Sequence, residues 1–267
     1  VPEDKKKCAL TRAVIDEVDW DCQVFTKFSD INLGCQKNVA SGMEWVFENV
    51  EETIVLEDDN LPDPTFFQFC DDLLEYYRND PRIMSINGQN IQFGRIRSEY
   101  SYYFSRYFLS WGWATWKSAW QHYDVDMKLW PVIRDKKTAG LEDILSSKRA
   151  IAYWRRAFNA VYEKRLDSYS IPWLFACWIQ NGLTVTPNIN LISNIGFGKD
   201  ATHTNVESSN NIYADMPLEK MSFPLQHPPI LIPNQKADIF SQETHYSPSL
   251  VTKIRSKANR ILGKKYI

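Results

Sequence analysis

Residues 53–87 read TIVLEDDNLPDPTFFQFCDDLLEYYRNDPRIMSIN, and their pattern sets the class of the fold. TIVL, residues 53–56, is a short unbroken apolar run with β-branched residues. That composition suits a strand buried on both faces of a largely parallel sheet. Asp63 followed by Pro64 marks a helix start, because the acid caps free N–H groups and proline at the first helical position forfeits no donor. The helix continues through FFQFCDDLLEYYRN and stops near Asp80-Pro81, since a residue before proline avoids the α region. Residues 82–87 supply the next strand, closed by Gly88. Strand, helix, strand at these lengths implies a βαβ crossover and a doubly wound α/β sheet.

Working outward, residues 4–18 (DKKKCALTRAVIDEV) read as an amphipathic helix and 20–26 (WDCQVFT) as a strand. Val39, Met43, Val46, Phe47 and Val50 share one helical face within residues 35–50. After residue 100 comes the aromatic-dense block SYYFSRYFLSWGWATWKSAW. Trp113, Trp116 and Trp120 fall at i, i+3 and i+7, the spacing of a buried helix face, although such rings also stack on sugars. Most are expected in the core, with one or two reaching a ligand. Residues 205–250, rich in Pro, Asn and Ser, read as an extended segment wrapping the surface. Residues 251–267 place six basic residues among apolar ones. This is a basic C-terminal helix, either solvated or lying on an anionic membrane surface.

The composition bounds the function. A 267-residue chain with 44% hydrophobic and 24% charged residues is an ordinary globular protein, which excludes disordered and fibrous classes. Thirty-one Lys and Arg against 33 Asp and Glu give a net charge of −2, which argues against bulk electrostatic binding of nucleic acid. Five scattered cysteines with no C-x-x-C pair suit a reducing compartment and offer no zinc ribbon. No apolar run approaches the ~18–20 residues of a spanning helix, and VPEDKKK lacks a signal-peptide core. A cytoplasmic location follows as the expectation, with the basic tail allowing contact at the inner face of the membrane.

Three consecutive carboxylates, Glu57, Asp58 and Asp59, directly follow the apolar strand. In an open α/β sheet, ligands bind outside the carboxyl ends of the strands. Like charges so close repel unless a cation neutralises them, and hard oxygen donors suit Mg²⁺ or Mn²⁺ completed by water and phosphate. A solvated acidic turn is the plainer alternative, and the preceding buried strand favours the metal. In SDINLG, residues 29–34, Asp30 or Asn32 can cap the following helix while Gly34 permits close approach; a simple capped turn explains the same spacing. Residues 196–201 (GFGKDA) match G-x-G-x-x-A, but a polar loop follows where a dinucleotide site needs a helix. His203 in that loop is a possible anion or metal contact, or merely solvated. No P-loop, nucleophile elbow or H-E-x-x-H is present.

In ordered combination, TRAVIDEV, FSDINLGCQKNVASGMEWVF, TIVLEDDNLPDP, WGWATWKSAW and PNINLISNIGFGKDATHT resemble a bacterial family of glycosyltransferases. That family is distantly similar to the eukaryotic N-acetylglucosaminyltransferase I group. The resemblance covers roughly residues 4–204. It implies a Rossmann-like GT-A fold with an aromatic-rich, helical acceptor side, and an apparently missing first strand. It further implies transfer of a hexosyl or N-acetylhexosaminyl group, with inversion, from a nucleoside diphosphate sugar to a glycan or lipid-linked acceptor. By the same resemblance, Asp59 and Glu57 hold Mn²⁺ or Mg²⁺, and Asp58 approaches the donor sugar. Asn32, Gly34 and Lys37 border the nucleotide, and Gly198, Asp200 and His203 lie near the diphosphate. Asp167 is the candidate general base, with Asp124 and Asp126 as alternatives. The family often has an acid two or three residues further on, where this chain has Tyr169 and Ser170. A non-catalytic sugar-binding protein that keeps the fold is the competing expectation.

Overall fold

The computed structural model describes residues 2–197, 212–214 and 216–248. Two compact units divide between residues 32 and 33. The first holds helix α1 (Pro2–Ala13), a 3-10 turn (Val14–Glu17) and a segment without regular structure. Within it, the Arg12 guanidinium donates to the Ser29 carbonyl at 3.1 Å and lies over the Phe28 ring. Residues 20–26 do not form the expected strand. Trp20 and Phe25 stay 66% and 73% exposed, and no described ladder within this unit receives the run. A β-branched, aromatic stretch becomes a strand only when a neighbour takes its hydrogen bonds.

The second unit is built on a five-stranded sheet. Its strands are β1 (Glu52–Val55), β3 (Ile83–Asn87), β4 (Tyr102–Ser105), β5 (Trp113–Trp116) and β6 (Leu183–Pro187), in the order β1-β5-β3-β6-β4. A separate antiparallel pair joins β2 (Asn60–Pro62) to β7 (Ile192–Asn194). In the larger sheet only β3 and β6 pair in parallel, and the other three pairs are antiparallel. The sheet is α/β but mostly antiparallel, which corrects the mostly parallel, doubly wound expectation. The reason is local. The crossover from β1 through α3 (Thr65–Tyr77) to β3 does carry the chain to a strand of the same direction, but it leaves a gap between the two. β5 later fills that gap, running against both.

This insertion also overturns the helical spacing of the tryptophans. Residues 113–116 are strand, and the short helix α4 (Lys117–Trp120) begins only afterwards. A strand places i and i+3 on opposite faces. Trp113 accordingly packs with Trp120 and Trp173 on one face, and Trp116 with Phe69 and Leu73 on the other. Both faces are core, so large apolar residues fall on both sides of the strand and its period is hidden.

α3 begins as expected. Asp63 Oδ1 accepts from the Thr65 amide at 2.9 Å and from the Thr65 hydroxyl at 2.6 Å. Phe66, Phe69, Cys70, Leu73, Leu74 and Tyr77 then bury one stripe against Ile86, Phe104, Ala114 and Val185. Burial of side chains this large contributes about 1.5–3 kcal/mol each. The opposite face carries α2 (Gly34–Phe47), α5 (Trp130–Arg134), α6 (Lys148–Tyr162) and α7 (Ser170–Ile179). β1 is half-buried along its whole length rather than enclosed on both faces, because it is an edge strand with β5 as its ladder partner.

The described residues of 212–214 and 216–233 form only turns, bends and isolated bridges. Helix α8 (Gln235–Ser241), capped by Asn234, and a π-helical turn (Gln242–Tyr246) follow, which corrects the uniformly extended reading. Gln242 ties the turn down, since its Oε1 accepts from Tyr107 at 2.7 Å and Trp154 at 2.8 Å. The basic segment 251–267 lies outside the described residues, as do Gly198, Asp200 and His203. No described helix is long and apolar enough to cross a membrane. All five cysteines are free thiols.

Candidate active site

β1, β3 and β6 run in one direction, so their carboxyl ends share one edge of the sheet. The acidic residues leave β1 at that edge. Residues 57–60 form a turn closed by the Asn60 amide donating to the Glu57 carbonyl at 3.0 Å. The Asn60 side chain organises it. Its Oδ1 accepts from the Gly112 amide at 2.7 Å and the Glu57 amide at 3.3 Å, and its Nδ2 donates to Asp59 Oδ1 at 2.8 Å. One carboxamide thereby links the acidic turn to the residue just before β5.

The turn gives the three acids separate surroundings. Glu57 is half-buried and accepts a 2.6 Å hydrogen bond from the phenol of Tyr169. Burial, then the charge of Glu57, holds that phenol well above its ordinary pKa, so it remains a neutral donor. Its ring stacks on Trp113, which fixes its direction. Asp59 is half-buried beside the exit of β7, where Ile195 donates to its carbonyl at 2.9 Å. Gly196 lies so close that a Cβ there would overlap the Asp59 side chain. Asp58 is exposed.

Asp167 stands at the N-terminus of α2. Its two oxygens accept from the amides of Cys35 at 2.7 Å and Gln36 at 2.8 Å, so an acid 131 residues beyond Gln36 supplies the helix cap. Gly34 makes this possible, because it sits at φ +74° and any Cβ would run into Asp167. The Cys35 thiol is pushed up by burial and then by the charges of Glu57 and Asp167. The structure thus gathers Gly34, Asp167, Tyr169 and Glu57 into one neighbourhood.

Other expected residues fall around this group or away from it. Lys37 is exposed one turn into α2, and Asn32 is an exposed residue of the first unit. Asp124 accepts from the amides of Asp126 and Lys128. Asp126 is ion-paired with Lys164 at 2.7 Å, which holds its carboxyl below the usual range. Trp113, Trp116 and Trp120 are core, whereas Trp111 is half-buried.

Among the described residues, no three His, Cys, Asp or Glu side chains converge as a closed metal cage. The donors that are present are hard carboxylate oxygens on a rigid turn. Mg²⁺-type ions are commonly held by one or two carboxylates and completed by water and substrate phosphate. Glu57 and Asp59 are donors of that chemical class, each already bonded within the fold, to Tyr169 and to Asn60 respectively. No protein-family model matches the chain, and no curated protein is significantly similar to it.

Sequence reasoning missed Asn60 and the partnership of Tyr169 with Glu57. Asn60 carried a local signal, since asparagine next to a proline-containing turn often bonds nearby backbone. Tyr169 carried none, because 112 residues separate it from its partner.

Proposed function

We propose that the chain is a metal-dependent glycosyltransferase of Rossmann-like GT-A type. It moves a hexosyl or N-acetylhexosaminyl group from a nucleoside diphosphate sugar to a glycan or lipid-linked acceptor. The observation that carries this reading is the acidic turn 57–60, braced by Asn60 at the sheet edge where three strands of one direction end. Glu57 and Asp59 would hold Mn²⁺ or Mg²⁺, which when bound neutralises the diphosphate as it leaves. Tyr169 orients Glu57 and excludes water from its inner side. Asp58, on the exposed shoulder of the turn, faces the donor sugar in this reading. The acceptor hydroxyl oxygen bonds to the anomeric carbon as the bond from that carbon to the phosphate oxygen breaks, and a carboxylate takes the hydroxyl proton. Asp167 is exposed and keeps a second lone pair on each oxygen, so it remains the carboxylate assigned to that proton.

A second reading has its own support. Asp167 is already occupied in capping α2, and Tyr169 and Ser170 stand where the resembling family often has an acid. A sugar-binding protein without catalysis would need the same scaffold. Calorimetric titration of nucleoside diphosphates with and without Mn²⁺ tests the leading reading. Binding that requires the metal and disappears in Asp59→Ala supports the transferase. Binding of free saccharide with no nucleotide response supports the second reading.

A further inference from the structure

The surface at the β4 end of the sheet, away from β1 and the acidic turn, carries a group of isoleucines that the function above leaves unused. Residues 230–234 run beside the outer edge of β4, where the Asn234 amide donates to the Phe104 carbonyl at 2.7 Å. Leu231 packs inward on the core, and Ile230 and Ile232 on either side of it lie outside. The Asn234 side chain donates to the Arg97 carbonyl at 2.8 Å, which brings Ile96 to the same place, and Ile239 follows on the outer face of α8. These four side chains are 51–65% exposed, and they are four of the five exposed isoleucines described in the second unit. Apolar residues scattered singly over a surface are ordinary, whereas a gathered set marks a contact.

The rim of this set is cationic. The Arg95 and Arg97 guanidinium groups stand 4.4 Å and 5.2 Å from the centre of the Phe240 ring, which holds them against α8. Lys236 is exposed on the same helix, one turn before Ile239. The acid of that helix, Asp238, is turned inward to the Ser105 hydroxyl and the Arg106 amide, so it does not offset them. Glu99 and Glu243 are the exposed acids nearest in sequence, and the balance stays positive. From residue 248 the chain leads into residues 251–267, whose sequence adds six Lys and Arg and no acid. Isoleucines projecting from a loop, a turn segment and a helix ask for no complementary shape, and a bilayer offers none. Their side chains can enter the acyl boundary while Arg and Lys stay with the lipid phosphates.

We propose that this isoleucine surface docks on an anionic lipid bilayer, with Arg95, Arg97 and Lys236 at the phosphates and the four isoleucines in the interface. The surface belongs to the folded body and is separate from any contact made by residues 251–267. It does not rest on the transferase reading. Sedimentation of the full chain with vesicles tests it, comparing phosphatidylcholine alone with the same lipid containing about one-third phosphatidylglycerol. The wild type is expected to bind the mixed vesicles, more weakly as salt rises, and the neutral ones at least about tenfold less.

The double variant Ile232→Ser, Ile239→Ser keeps every charge, the basic segment included, and changes only exposed positions. It is expected to weaken binding to the mixed vesicles at least about tenfold. Lys236→Glu is expected to weaken it by about tenfold as well. Equal binding by wild type and the folded double variant overturns the proposal, because the basic segment then carries the attachment alone. The absence of any binding by the wild type overturns it too. Should circular dichroism show the double variant unfolded, Ile96→Ser combined with Lys236→Glu must show the same loss, and its equal binding has the same adverse meaning. A wild type that is dimeric in analytical ultracentrifugation, monomeric as the double variant and indifferent to vesicles assigns the surface to a second copy and removes the lipid. Asp59→Ala keeps the transferase question apart, since it is expected to bind vesicles as the wild type does, whatever becomes of nucleotide binding.

Discussion

Replacing Asn60 by alanine perturbs the site at the point where its geometry is set. The substitution deletes the acceptor for the Gly112 amide at 2.7 Å and the donor to Asp59 at 2.8 Å; the 3.3 Å contact to Glu57 is marginal. The lost bond to Asp59 is worth about 1 kcal/mol net, and the buried Gly112 N–H left unpaired costs about 1–3 kcal/mol. A destabilisation of about 2–4 kcal/mol is expected, a large fraction of a typical folding free energy. Urea unfolding followed by circular dichroism should show the midpoint falling by about 1 M with an unchanged slope. Asn60→Asp sharpens the experiment, since it keeps an acceptor for Gly112 but turns an oxygen toward Asp59. At neutral pH the two carboxylates repel, so the folded state of this variant favours a shared proton. An Asn60→Ala protein within about 0.5 kcal/mol of wild type, the size of an ordinary surface change, would refute the assignment of Asn60 as the brace of the turn.

Three further outcomes are expected. Gly34→Ala forces a side chain into a backbone at φ +74° and against Asp167, so a loss of at least about 1–2 kcal/mol should appear in thermal unfolding, with faster amide exchange at Cys35 and Gln36. Tyr169→Phe removes the phenol donor to Glu57. It should cost about 1.5–3 kcal/mol and weaken Mn²⁺-dependent nucleotide binding, and retention of both stability and affinity would exclude Tyr169 as the residue that orients Glu57. The third concerns Asp238 in α8, whose carboxyl is pushed up to about 6 by burial against partial relief from Ser105 and the Arg106 amide. The folded chain then holds a proton that the unfolded chain releases. Stability is therefore expected to fall by up to about 3 kcal/mol as pH rises from about 4 to 6, and to be flat above. Asp238→Asn should abolish that slope, and an unchanged pH profile of the variant would show that another group is responsible.

Local chemistry alone determined the strand–helix–strand core and the acidic turn. The Asp63 cap, the apolar stripe of α3 and the stop before Pro81 each act within a few residues, so they are legible without knowing the fold. The same holds for α2 and for the presence of three carboxylates at the end of β1. Tertiary structure decided what those elements become. The direction of the sheet was settled by β5 inserting between β1 and β3, and strand pairing depends on long-range hydrogen bonds that a one-dimensional pattern does not contain. Residues 20–26 have strand composition but no described ladder, and residues 113–116 have helical spacing but lie in a strand buried on both faces. The site followed the same rule. Its carboxylates were visible as a run of like charge, whereas Asp167 at the end of α2, Tyr169 against Glu57 and Asn60 against Gly112 meet only because the folded chain returns them to one edge.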